Sequence, residues 1–358
     1  MARVVVGPKS TSPKSTAVGR LSSLVGWVAF AAVAIYLFVE NAMQPCRTFT
    51  LGAGDVVKGK VIVVTGANSG LGYFTAKFLA QRGARVIMGC RSAARCEAAA
   101  TTIVTESKGQ HPDLVVPETM VLDLISQASV RQFAAALKEK APEIDVLVNN
   151  AGVMALAPPR TLSPEGIEAQ FAINHVGHFL LTALVYPLLK QGGRIVNHSS
   201  GAHMAAPADF FVAGDYQTSK YDSATTWSAY GQSKAANLQF TYELNDRLAA
   251  AGNPKNIISI AVHPGYTDTG LQEKSTMRTW FDAHVWANKL AMTLADGSIS
   301  QIMAAVSTSV NASKNTFFGP RFGMFGFPVE SETGKYHKAS QLRLWAISEE
   351  LTQTSFPL

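Results

Sequence analysis

The chain opens on polar and basic residues, then runs from Leu21 to Val39 without a charge: LSSLVGWVAFAAVAIYLFV. Those nineteen residues approach the roughly 20 that a helix needs to cross a bilayer. Arg20 and Glu40 bracket the run, and Tyr36 near its end suits a membrane interface. The pattern predicts an uncleaved transmembrane anchor over 21–39, with a basic segment at 1–20 and a linker at 40–57. A secretory signal would have a shorter apolar core, of roughly 7 to 15 residues. Two other readings stay open. Residues 1–20 hold Arg3, Lys9, Lys14 and Arg20, many Ser and Thr and no acid, as in an organelle-targeting presequence, and an apolar helix can also pack on its own core. Four cations before the run, against Arg47 and Lys58 after it, put the N-terminus on the cytoplasmic side. An endoplasmic reticulum or other organelle membrane is the expected location.

From residue 58 onward the period changes. Lys60–Thr65 is a short β-branched run, as a strand buried on both faces should be. Leu71–Arg82 has helical spacing. Strands at Arg85–Cys90, Thr119–Leu122, Asp145–Val148, Arg194–Asn197 and Ile257–Val262 alternate with helices at Ser92–Glu106, Ser126–Lys140, Ile173–Leu189 and Trp227–Ala250. Six strands separated by helices predict an α/β, Rossmann-type doubly wound parallel sheet over 58–358. The stretch from Thr269 to Val329 is less regular, and its aromatics (Trp280, Phe281, Trp286, Phe317, Phe318, Phe322, Phe325, Phe327) suit a pocket cap, a membrane contact or packing on the sheet edge.

Composition narrows the class. The 358 residues are 47% hydrophobic and 16% charged, so a large core is expected. Net charge is +6, but no long Lys/Arg run or basic-aromatic interleaving occurs, which argues against nucleic acid. Cys46, Cys90 and Cys96 are odd in number and lack metal-ligand spacing, so neither a disulfide framework nor a metal site is expected.

The first strand leads straight into Thr65-Gly66-Ala67-Asn68-Ser69-Gly70-Leu71-Gly72, and a helix follows. Glycines there let the chain turn tightly and let the free N–H groups of the helix start face a pyrophosphate. The second strand ends Gly89-Cys90-Arg91, without the Asp or Glu that holds the ribose hydroxyls in an NAD site. A guanidinium instead matches a 2′-phosphate, which favours NADP(H).

TGANSGLG (65–72), NNAG (149–152), Ser199-Ser200 after a strand, and Tyr230-Gly-Gln-Ser-Lys234 occur in that order. In this the chain resembles the short-chain dehydrogenase/reductase superfamily over about 58–268. INHVGHFLLT (173–182), YGQSKAANL (230–238), VHPGYTDT (262–269), GKY (334–336) and LWAISEEL (344–351) resemble its retinol dehydrogenase-like branch.

Tyr230 and Lys234 lie four apart on a helix and share a face. A phenol with pKa near 10 is a poor acid at neutral pH, and a nearby ammonium should lower it. The resemblance makes Tyr230 the proton carrier, Lys234 the holder of the nicotinamide ribose, and Ser200 the group that orients the substrate carbonyl, with Ser199 as fallback. It gives Asn174 a water behind Lys234, although a polar helix-start residue is the plain alternative. It sets Asn150, Ala151 and Gly152 along the cofactor, Asp123 near the adenine (or capping the next helix), and Pro264, Gly265 and Thr267 beside the nicotinamide carboxamide. Two features depart from the pattern. Ser200 and Tyr230 lie 30 residues apart rather than about a dozen, and residue 198 is His where an aliphatic is usual. The insert 201–229 should rim the substrate pocket. His175 and His178 are ordinary for this branch.

The expected activity is hydride transfer between NADP(H) and a lipophilic alcohol or carbonyl compound of the retinoid, steroid or lipid-aldehyde class. A non-catalytic NADPH-binding accessory subunit of a membrane complex and a protochlorophyllide-reductase-like enzyme are the alternatives. Homo-oligomer and complex subunit both stay open, and Asn311-Ala312-Ser313 is a glycosylation acceptor if lumenal.

Overall fold

The structure, a computed structural model, describes residues 17–207, 210–213, 217, 219, 225–269, 291–310, 317–331 and 336–358. Residues 1–16, Trp280, Phe281, Trp286, the Asn311 acceptor and most of 214–224 lie outside the described residues.

Eight strands form one sheet in the order β3-β2-β1-β4-β5-β6-β7-β8. They are β1 (Val61–Thr65), β2 (Arg85–Cys90), β3 (Glu118–Val121), β4 (Ile144–Asn149), β5 (Leu189–His198), β6 (Ile258–Val262), β7 (Phe317–Pro320) and β8 (Pro328–Glu330). All neighbours pair in parallel except β7 and β8, which are antiparallel. The six expected strands are all present. The short β7 and β8 were not anticipated: FFGP and PVE are too brief and proline-bound to show a period.

Each strand of a doubly wound sheet must be apolar on both sides, and β1 shows it. Ile62 and Val64 pack on one face with α2 (Gly70–Ala80), α3 (Ala93–Ser107) and the α9 helix (Leu294–Val306). Val63 points the other way, toward α4 (Gln127–Lys140), α6 (Gly177–Val185) and α8 (Thr225–Ala250). The C-terminal helix α10 (Lys338–Thr352) closes that second face, where Phe179, Phe240, Trp345 and Phe356 meet ring to ring at 5.2 to 6.3 Å. Among the described residues two short helices, α5 (Ala169–Phe171) and α7 (Phe210–Ala213), add to these, and a π-helical turn at Ala172–Val176 leads into α6.

The N-terminal helix α1 runs from Ala17 to Arg47 without interruption, into the segment expected as a linker. Val39, Met43 and Cys46, spaced four and three apart, are buried against Met292, Ile299, Phe325 and Phe327. The helix period alone therefore docks the end of α1 on the domain. One described stretch, Ala169–Leu188, is long and apolar enough to cross a membrane, but it is 83% buried inside the fold and is core.

The cysteines depart from expectation. The turn from β2 into α3 brings Cys90 and Cys96 to a Cα separation of 5.9 Å, and they form a disulfide. Spacing along the chain did not show it because the strand-to-helix turn supplies the approach. Cys46 is a free, buried thiol, pushed up to about 12 chiefly by burial.

At the sheet edge, the His263 ring stacks on Phe317 with centroids 5.1 Å apart and fills the space above Gly319. A Cβ on Gly319 would collide with that ring. Gly319→Ala should therefore cost about 2 kcal/mol or more. A lowered urea midpoint with an unchanged m-value checks this, and an unchanged midpoint would refute the packing argument.

Candidate active site

Strand order reverses between β1 and β4, so a crevice opens at the carboxyl ends of those strands. Two loops flank it. The Thr65–Gly72 turn leaves β1, and Asn149–Gly152 leaves β4. The Thr65 hydroxyl accepts from the backbone N–H groups of Asn150 and Ala151, at 2.9 Å each, and Asn150 Nδ2 donates to the Thr65 carbonyl at 2.8 Å. The turn lies flush on its neighbour. A Cβ at Gly66, where φ is +66°, would sit 2.9 Å from Ala151, and one at Gly72 would sit 2.5 Å from Asn150 Nδ2.

On the crevice side the turn is open. A Cβ on Gly70 would meet nothing within 4 Å, and Ser69, at the N-cap of α2, is exposed and makes no side-chain cap bond. The first N–H groups of α2 are thus free for an anion. Asn68 is half-buried beside them, while Leu71 is buried and its carbonyl accepts from Gln301. Arg91 stands exposed just past β2. These features fit an anionic cofactor at the start of α2. Asp123 turns its carboxylate to the Ile125 N–H at 3.4 Å, and Ser126 rather than Asp123 caps α4.

The second half of the site hangs on α8. Tyr230, Ser233, Lys234 and Asn237 share one helix face, and all four are buried. The Ser200 side chain lies near enough to the Tyr230 phenol to pull its pKa down. Ser199 is different: its hydroxyl donates to the Lys234 carbonyl at 2.8 Å and is fully buried, which ties β5 to α8 and leaves Ser200 as the crevice serine. Lys234 Nζ and Asn237 Nδ2 both donate to the His198 carbonyl, at 3.1 and 3.0 Å. Gly152 passes close to Lys234: a Cβ there would lie 3.3 Å from Nζ and 3.1 Å from Asn174 Oδ1.

Asn174 sits in the π-helical turn, which adds a residue per turn and re-aims side chains. Its side chain is committed to the Val153 backbone, accepting at 2.8 Å and donating at 2.9 Å, and to Ser233 at 2.8 Å. Its own carbonyl contacts His178 Nδ1 at 3.1 Å. Across the crevice, Thr267 donates to the Pro264 carbonyl at 2.9 Å and holds the Pro264–Gly265 turn at the sheet edge.

Burial sets the electrostatics. Lys234 is 3% exposed, and desolvation pulls it from its ordinary 10.5 down to about 7. The Tyr230 phenol is pushed up from 10.0 by burial, with Ser200 pulling against it. Burial is the first cause at both groups, and the Lys234 Nζ lies 5.8 Å from the Tyr230 ring centroid. His175, His178 and His198 are held well below 6.5, chiefly by burial, and act as neutral struts. His175 reaches Ser348 of α10 at 2.8 Å. His178 reaches Thr65 at 2.9 Å.

The unexpected His198 has a role of this kind. Its Nδ1 meets Gln301 Oε1 at 3.0 Å, and Gln301 Nε2 bonds the Leu71 carbonyl and Thr75 of α2. Asn237 and Gln301 were not singled out from the sequence. Asn237 was findable, since it continues the 230, 233, 234 face by helical spacing; Gln301 carried no local signal.

The short chain dehydrogenase family model matches residues 60–279. Retinol dehydrogenase 13 of Homo sapiens is 41% identical over 251 residues, covering 70% of this chain and 69% of its own. Retinol dehydrogenase 14 of Mus musculus is 37% identical over 302 residues, covering 80% and 86%. A solved structure of an uncharacterized protein from Mycobacterium paratuberculosis is 37% identical, with a TM-score of 0.67, and covers 85% and 97%. A short-chain dehydrogenase from Shigella flexneri, solved with NADP, shares the fold at 23% identity and a TM-score of 0.55, covering 74% and 98%.

The depressed Lys234 makes a pH prediction. Between about 7 and 10.5 the unfolded chain holds a proton that the folded one does not, so stability rises with pH across that window and the full penalty is present below it. Lys234→Met keeps the shape, and Asn237 still satisfies the His198 carbonyl. It should raise the melting temperature at pH 7 by several degrees and flatten the slope, as thermal scans from pH 6 to 10 would show.

Proposed function

The chain belongs to the short-chain dehydrogenase/reductase family, in its retinol dehydrogenase-like branch, and from that membership we propose a membrane-anchored NADP(H)-dependent oxidoreductase of lipophilic alcohols and carbonyls. The observation that carries the reading is the buried face of α8 that holds Tyr230 and Lys234 one helical turn apart, with Ser200 near the phenol and Gly152 against the lysine. NADP(H) supplies or takes up a hydride, exchanged with the carbonyl carbon.

The chain's own residues would do the rest. Ser200 donates toward the substrate oxygen and fixes its direction. Tyr230 gives that oxygen its proton during reduction and takes it back during oxidation. The phenolate left behind is stabilised by Ser200 and by the proton that Lys234, pulled to about 7, can hold near neutral pH. Lys234 also reaches the cofactor ribose, and Asn174 fixes the Val153 backbone beside it. Gly66, Asn68, Ser69, Gly70, Leu71 and Gly72 cradle the pyrophosphate, with Asn150 and Ala151 backing that turn. Pro264, Gly265 and Thr267 border the carboxamide.

Arg91 supports the phosphorylated cofactor, because its exposed guanidinium has no partner among the described residues and no acid stands at the end of β2. Substrate class is supported by the relatives named retinol dehydrogenases and by α1. The described apolar residues of α1 between 33 and 38 include Val33, Ile35, Tyr36, Leu37 and Phe38, each more than half exposed. Such a surface is expected of an anchor at 21–39.

Two substitutions test this. Tyr230→Phe in the full chain should lower kcat by about a hundredfold or more, while NADPH affinity holds. Arg91→Glu should weaken NADPH by about a hundredfold and leave NADH unchanged. The substrate panel is retinal, steroid ketones and aliphatic aldehydes, followed by NADPH oxidation. Tight NADPH binding with no turnover on any of them would favour the accessory-subunit reading instead.

A further inference from the structure

The turn Arg321–Phe327 joins β7 to β8 and is closely bonded. Gly323 N–H donates to the Pro320 carbonyl at 2.8 Å, and Arg321 N–H to the Phe327 carbonyl at 3.1 Å. Gly323 and Gly326, at φ +75° and +106°, make the reversals. Yet this ordered turn holds two large apolar side chains outward: Phe322 is 46% exposed and Met324 is 58% exposed. Isolated exposed apolar residues need no explanation, but these two continue another apolar surface. The Phe38 ring of α1 lies 5.2 Å from Phe322 and 6.1 Å from Phe325.

Topology places that surface. β7 runs parallel to β6, so Pro320 and the turn beyond it lie at the carboxyl edge of the sheet, where the crevice opens. The Met324 carbonyl accepts from the Tyr266 N–H at 2.7 Å, and a Cβ on Gly265 would collide with that carbonyl. The turn is therefore packed on the same Pro264–Gly265 segment that borders the site. On its other side, the Gly326 N–H meets Met43 Sδ at 3.3 Å. α1 passes from Phe38, beside Phe322, to Met43, beside Gly326, and Phe49 just past its end packs between Phe327 at 6.1 Å and Phe78 of α2 at 6.0 Å. Followed backward, α1 leaves the domain at the carboxyl edge.

We infer that the Arg321–Phe327 turn is a second membrane contact: Phe322 and Met324 enter the interface of the leaflet that α1 enters, beside Phe38, so that the crevice opens against lipid. The partner is a phospholipid bilayer. Exposed Arg321 lies at the base of the turn, at headgroup level, where a guanidinium can meet phosphate. A lipophilic substrate then reaches Ser200 and Tyr230 from the lipid phase without crossing water. The inference rests on the anchor in the proposed function.

The test uses the full chain in phosphatidylcholine and phosphatidylserine vesicles, with an environment-sensitive fluorophore on Met324→Cys. Val56→Cys, exposed at the amino edge, is the control. Flotation of the vesicles reads the anchor separately. The expected result is that the chain floats, that the Met324 probe shifts to the blue and is quenched by lipids with a shallow spin label, and that the Val56 probe does neither. Flotation with an unshifted, unquenched Met324 probe overturns the membrane contact while leaving the anchor intact. Failure to float overturns both. Shielding of the Met324 probe that persists in detergent and disappears on dilution points to a second copy of the chain and also overturns the inference.

Discussion

The close crossing of α8 over the end of β5 is the constraint on which the site depends. Gly231 allows it, since a Cβ there would lie 2.8 Å from the Ala202 carbonyl, in the short helical turn that follows β5. Ser199 locks the crossing with its bond to the Lys234 carbonyl. Because the two elements touch, the His198 carbonyl receives Lys234 and Asn237 together, and Ser200 comes near the Tyr230 phenol although 30 residues separate them. The described start of the insert, the helical turn Gly201–Ala205, packs directly on α8.

That geometry has an energetic cost. A lysine brought to 3% exposure loses hydration that one carbonyl only partly replaces. The surrounding fold supports it with polar groups satisfied across the sheet. Asn149 Nδ2 donates to Thr182 and Asn197, and Asn197 Nδ2 to Thr241 and Ser259, a chain through β4, β5 and β6 just beneath the crevice. The neutral histidines extend the support to Thr65, Gln301 and Ser348. A buried network that is nearly complete fixes side-chain positions, which a proton-transfer site requires.

The same edge of the sheet gathers the candidate site and the exposed turn after β7. The phosphate-loop helix, the catalytic helix, the Pro264–Gly265 turn and the base of α1 all converge there because parallel strands present one common end. One topological fact thereby brings the crevice and the Arg321–Phe327 turn to the same edge of the sheet.

The sequence by itself determined the strand and helix alternation, because each buried strand must be apolar on both faces and each helix must repeat every 3.6 residues. It also determined the Gly-rich turn, the Tyr230–Lys234 face and the exposed Arg91, since these depend on local spacing and residue type. The tertiary structure decided what contact alone can decide. It separated Ser199 from Ser200 by which hydroxyl is spent on Lys234. It paired Cys90 with Cys96, added β7 and β8 to the edge, and bonded His198 to Gln301, 103 residues away. It also set the direction of each shift at Lys234 and Tyr230. Spacing along a helix places two groups on one face, but only the packed surroundings fix how much water each one loses, and burial raises the phenol and lowers the lysine here.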